Sequence, residues 1–116
     1  MRNHFAMFAV TLSTLAFAAC ASADCSALRC DNVYIEQLYV DSGDLGGGDI
    51  WVRTSGAETA LSCTANGGVL LKLSASSTYR KDVYALLMMA FSADKPVSIR
   101  VMPGTDCPIA YVTVDR

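Results

Sequence analysis

From Val69 to Gly104 the chain reads VLLKLSASSTYRKDVYALLMMAFSADKPVSIRVMPG, and this stretch decides the fold. Its first five residues, Val69-Leu70-Leu71-Lys72-Leu73, follow the turn signal Asn66-Gly67-Gly68 and read as a strand. Helical character begins after them. Ser76, Ser77 and Thr78 can each cap a helix by accepting an otherwise unpaired backbone N–H, and Asp82 suits the positive end of the dipole. Neither Gly nor Pro occurs from Thr78 to Ser92, so the helix is expected over 78–92. Pro96 closes the helical region, Val97, Ile99 and Val101 then alternate with Ser98, Arg100 and Met102 as a strand, and Pro103-Gly104 supplies a turn.

Working outward, Val33 to Val40 (VYIEQLYV) is rich in β-branched and aromatic residues and predicts a strand. Strict alternation would put Val33, Ile35, Gln37 and Tyr39 on one face and Tyr34, Glu36, Leu38 and Val40 on the other. Asp41 to Gly48 (DSGDLGGG) reads as a flexible turn, and Asp49 to Arg53 (DIWVR) returns as a second strand, which makes 33–53 a hairpin. A last strand spans Ile109 to Val114 after Cys107-Pro108. The resulting order is β-β-β-α-β-β, mainly β with one helix (α+β), in a single domain over residues 24–116. No internal repeat or linker divides it.

The residues before Asp24 read as an address. A cationic start at Met1-Arg2-Asn3-His4 runs into the uncharged apolar stretch Phe5 to Ala18, then into Ala21-Ser22-Ala23. This is the layout of a secretory signal peptide over 1–23, too short and wrongly flanked for a membrane span. Secreted or periplasmic location follows. The competing reading is an outer lipid anchor at Cys20, since Phe17-Ala18-Ala19-Cys20 is similar to a lipobox.

Either route leaves four cysteines, Cys25, Cys30, Cys63 and Cys107, an even number that in an exported chain reads as two disulfides. Three pairings are open. A Cys63–Cys107 bridge would tie the two halves of the sheet across the helix and stabilise by roughly 3–5 kcal/mol on the chain-entropy model. Cys25 and Cys30 would then close a small ring that fixes the N-terminal tail without holding up the core.

Charge and composition narrow the function classes. Removing 23 residues from 116 leaves 93, carrying nine Asp and two Glu against eight Lys and Arg, a balance of −3 with no basic stripe. Nucleic-acid binding is not expected from such a surface. The only histidine, His4, leaves with the signal peptide, so Ser-His-Asp and Cys-His sites cannot be built, and zinc loses its usual nitrogen ligand. The expectation is a protein that is not an enzyme and uses no cofactor or metal. Asp41, Asp44 and Asp49 around three glycines suggest calcium, but their spacing fits no calcium-loop pattern and a solvated hairpin tip is the better reading.

Two features point to binding. Nine apolar residues within Val83 to Phe91 would wrap the whole helix circumference, which predicts cover on most sides. That cover is either a protein partner or self-association on the outer helix face, or the domain's own strands and loops. Trp51 and Arg53 share one strand face; if Ile50 and Val52 point inward, Trp51 faces out to stack on a sugar or partner, and otherwise it is core. With Asp44 and Asp49 these are the candidate binding residues.

Five strands with one helix between the third and fourth is the order of the OB-fold, a small five-stranded barrel. Within it, Tyr84-Ala85-Leu86-Leu87 running to Lys95-Pro96-Val97-Ser98-Ile99-Arg100-Val101-Met102-Pro103-Gly104 resembles the B subunits of pentameric bacterial toxins, the subtilase cytotoxin type above all. The likeness covers Ser77 to Gly104, about a quarter of the chain. It implies a ring-forming, glycan-binding module whose helix lines a central pore. The first half has no counterpart of that family's sugar-contacting residues, so none is carried over. The leading expectation is thus an exported, non-enzymatic binding module. The alternatives are a periplasmic inhibitor or accessory protein bound to a protein partner, and a structural surface lipoprotein.

Overall fold

The structure, a computed structural model, describes residues 23–43 and 47–115. The expected signal peptide, Ala23 apart, and the expected anchor at Cys20 lie outside the described residues. In chain order the elements are β1 (Asp24–Ser26), β2 (Arg29–Val33), β3 (Ile35–Val40), β4 (Ile50–Thr54), a 3-10 turn (Glu58–Ala60), β5 (Leu71–Leu73), α1 (Arg80–Ser92), β6 (Val97–Val101) and β7 (Ile109–Val114). The described residues are mostly β with one helix, built as two antiparallel sheets of order β1-β2-β6-β7 and β3-β4-β5. Fully buried Val33, Ile50, Val52, Leu71, Leu73, Leu87, Val97, Ile99 and Val101 form the core between the sheets and α1.

The expected strand 33–40 corrects to two. Its first residue ends β2 in one sheet and the rest forms β3 in the other, with Tyr34 at the crossing, where its carbonyl accepts the Ser55 N–H at 2.9 Å. Strict alternation also fails. The register against β4 shifts between Ile35 and Gln37, leaving Glu36 as an extra, bulged residue. One inserted residue reverses the parity of everything after it. Ile35 is therefore buried, Gln37 and Tyr39 face outward, and Leu38 turns in against the core.

Between the two sheets, Lys72 and Pro108 form an isolated parallel bridge, and the Lys72 N–H donates to the Asp106 carbonyl at 3.0 Å. Among the described residues no longer ladder forms there and no closed barrel results. The reason is local: Asn66 pairs with Leu70 in the preceding turn, which shortens the expected strand 69–73 to β5, and Asp106 and Cys107 take left-handed φ of 64° and 43°. Left-handed backbone interrupts the extended run that a ladder needs.

Both disulfides are present, Cys25–Cys30 and Cys63–Cys107, with Cα–Cα distances of 4.0 and 5.2 Å. The smaller ring is not a peripheral clip. Cys25 and Cys30 face each other across the β1–β2 pair and both are fully buried within the core, so the expectation that this ring leaves the core alone is corrected.

The helix starts at Arg80, later than expected, and its N-cap Tyr79 makes no side-chain capping bond. Ser74 and Ser76 instead bond each other at 2.9 Å, and the Ser77 carbonyl accepts the Arg80 N–H. At the other end Asp94 takes φ of 50°, Asp94 N–H reaches the Phe91 carbonyl at 3.4 Å and Lys95 N–H the Ala90 carbonyl at 2.9 Å, a Schellman stop before Pro96. Only Leu87 and Ala90 are buried on α1, with Val83 and Tyr84 half-buried against the core. Leu86, Met88, Met89 and Phe91 are exposed. Among the described residues the predicted cover on most sides is absent, because the sheet-built core reaches only one face of the helix.

Candidate functional site

The three-stranded sheet presents one alternating face to the core and one outward. Along β4, Ile50, Val52 and Thr54 are buried, which turns Trp51 and Arg53 to the outside. The β3–β4 register sets Tyr39 opposite Trp51, and the β4–β5 register sets Lys72 on the other side of Trp51. Tyr39, Trp51 and Lys72 thus form a row across three strands. The bulge at Glu36 makes this possible, since without its parity change Tyr39 would sit on the other face.

Beside this row lies a pocket of about 360 Å³ lined by Tyr39, Asp41, Trp51 and Asn66, within the size range of small-ligand sites, roughly 300–1,000 Å³. Trp51 is half-buried and Tyr39 exposed, so the aromatic rings are supported by the sheet yet accessible. Asp41 Oδ1 accepts the Gly43 N–H at 3.0 Å, a turn that fixes the carboxylate at the rim. Asn66 Nδ2 donates to Asp106 Oδ1 at 3.3 Å, and Lys72 Nζ donates to Asp106 Oδ2 at the same distance. One carboxylate therefore holds both the pocket's amide and the ammonium beside Trp51. Asp106 is itself placed by the left-handed turn and by its neighbour Cys107, bridged to Cys63.

The other candidates from the sequence are placed differently. Arg53 shares the outward face with Trp51 but ion-pairs with bulged Glu36 at 3.4 Å, both half-exposed, a pair of little energetic weight. It borders a second hollow of about 330 Å³ with Gly56 and Glu58 rather than the Trp51 pocket. Asp49 Oδ1 accepts the Ala75 N–H at 2.8 Å, which moors the hairpin loop to the segment before α1. Arg80 adds a second mooring by donating from Nη2 to the Gly48 carbonyl. Asp44 lies outside the described residues. Among the described residues no group of three or more His, Cys, Asp or Glu is arranged to hold a metal ion.

Sequence reasoning singled out Trp51 but missed Tyr39, Asn66, Lys72 and Asp106 as its company. Tyr39 was legible in part: with Asp41 and Asp49 closing the hairpin (Asp41 N–H to Asp49 carbonyl, 2.8 Å), counting back places residue 39 opposite residue 51. Nothing local announces that Asn66 and Asp106 meet.

The arrangement suits recognition of a ring-shaped polar molecule. Aromatic faces offer apolar area and a carboxylate and an amide offer hydrogen-bonding groups at fixed positions. No family model, no curated protein and no solved structure matches this chain.

Proposed function

We propose that the chain is an exported, non-enzymatic binding module of OB-like topology that takes a glycan in the pocket of Tyr39, Asp41, Trp51 and Asn66. The observation that carries the reading is this pocket, in which a cross-strand aromatic pair and fixed polar groups converge. The OB-like part is supported by pairing order. With 29–40 counted as one bent strand, neighbours run β3-β4-β5, then across the Lys72–Pro108 bridge to β7, β6 and back to β2. That is the order of strands around an OB barrel, whose second and third strands and flanking loops carry oligosaccharides or oligonucleotides. Here those strands are β4 and β5, where Trp51 and Lys72 lie. The charge balance of the sequence favours the sugar over the nucleic acid.

Export is supported by the two disulfides, which persist in oxidising compartments, and by the signal-like first 23 residues. Among the described residues no helix is long and apolar enough to cross a membrane. The toxin B-subunit likeness supports a ring of copies with α1 facing inward. A protein partner is the second reading, and the same observation favours both: Leu86, Met88, Met89 and Phe91 stand exposed on one short helix.

Glycan-array binding of the oxidised protein, compared with its Trp51→Ala variant, tests the pocket. Loss of sugar binding with a melting temperature shifted by only a few degrees is the expected result. Unchanged binding, or a protein that binds no glycan, would overturn it. Light scattering coupled to size exclusion tests the ring: a pentamer supports it and a monomer removes the pore-lining role of α1.

A further inference from the structure

We infer that the Trp51 pocket selects uncharged hexose units and rejects sialylated and uronic-acid glycans, an inference that rests on the glycan reading above. The charge layout carries it. Among the described residues the one charged side chain lining the pocket is Asp41, an anion pinned in place by the Gly43 N–H. The nearest cation along the sheet, Lys72, sits beside Trp51 but its Nζ is held at 3.3 Å by Asp106 Oδ2, and both side chains are largely buried, at 24% and 21% exposed. Arg53, the next cation on the face, is turned to Glu36. Arg80, near the hairpin loop, donates to the Gly48 carbonyl.

An acidic sugar entering this pocket would therefore bring its carboxylate toward Asp41, while the nearest cation along the sheet, Lys72, is already paired with Asp106. Like charges meeting in a partly desolvated hollow repel far more strongly than in bulk water. A neutral hexose meets the opposite situation. Its hydroxyls donate to the Asp41 carboxylate and exchange donors and acceptors with the Asn66 amide, while its C–H face lies on Trp51 or Tyr39. Asp106 acts as a positioning residue: it holds Asn66 by one oxygen and neutralises Lys72 by the other.

Calorimetric titration of the oxidised protein against lactose, maltose and mannobiose, with sialyllactose and cellobiouronic acid as acidic counterparts, tests this directly. The expected result is binding of at least one neutral disaccharide and a preference of about tenfold or more over the acidic sugars. In Asp41→Asn, which keeps the acceptor for the Gly43 N–H, that preference should shrink several-fold. Equal or tighter binding of an acidic sugar by the native protein overturns the inference and leaves the glycan reading standing. A preference that Asp41→Asn does not change overturns the role given to Asp41 and with it the inference. Binding of none of the sugars overturns both readings together.

Discussion

Gly56 sits where a side chain would collide with the sulfur of Cys25: a Cβ there would lie 2.6 Å from Cys25 Sγ and 2.9 Å from Cγ1 of Val33. The turn after β4 thus closes directly over the small disulfide, and the two sheets approach each other at this point through backbone and sulfur. Neither neighbour has a flexible end to move aside, since the sulfur is bridged and Val33 is fully buried.

Gly56→Ala should therefore destabilise the protein by about 1–3 kcal/mol, the usual cost of forcing extra volume into a filled core. Urea denaturation of the oxidised protein measures it. Gly67→Ala serves as the contrast for contact: a Cβ there meets nothing within 4 Å, and its cost comes only from the φ of +60°.

Glu58 is 4% exposed, and its Oε1 accepts both the Thr54 N–H at 2.8 Å and the Thr54 hydroxyl at 2.7 Å, while Thr54 Oγ1 accepts the Gly56 N–H at 3.2 Å. Glu58→Ala would leave the donors of Thr54 without this acceptor, at a cost of about 1–3 kcal/mol. Glu58→Gln keeps a carbonyl acceptor in place and should retain most of that stability, which thermal melts of the two variants would compare.

Replacing both members of Cys63–Cys107 by Ala should cost about 4 kcal/mol on the chain-entropy scale, against about 2 kcal/mol for the same change at Cys25–Cys30. The difference follows from sequence separations of 44 and 5. The larger bridge has a further effect. Cys107 follows Asp106, so its loss should weaken sugar binding under conditions where the variant remains folded, and titration at low temperature reads this separately.

On α1, Leu87→Ala should cost about 2–5 kcal/mol because Leu87 is fully buried. Met89→Lys, at a residue 50% exposed, should change monomer stability by no more than about 0.5 kcal/mol. If α1 lies in an interface, the same substitution lowers the molar mass measured by light scattering; an unchanged mass places the interface elsewhere.

What could be read from the sequence followed from what is local. Period-two patterning located β6, the strand expected at 109–114 is β7, and the sequence let Trp51 face out or in according to Ile50 and Val52, which the structure buries. Parity across 33–40 was not readable, because the bulge at Glu36 exists only in the pairing with β4. β1 and β2 were missed for a similar reason: Asp24–Ser26 and Arg29–Val33 have weak strand propensity and are held by the Cys25–Cys30 bridge and by β6. The all-apolar helix carried no phase, so composition alone could not tell which side would be buried. At the site, Asn66 and Asp106 are 40 residues apart and meet only through the turn beside Cys107.

The Cys63–Cys107 bridge makes a covalent circuit of everything between its ends, including β5, α1 and β6. The exposed Asn66-Gly67 turn and the exposed Ala93–Lys95 corner are the kind of tips that proteases cut first, and both lie inside that circuit. A single nick at either place leaves the two pieces joined through the disulfide as one molecule, with no fragment free to diffuse away. Such a nicked chain would stay in one piece on a non-reducing gel and fall into two only after its sulfurs were reduced.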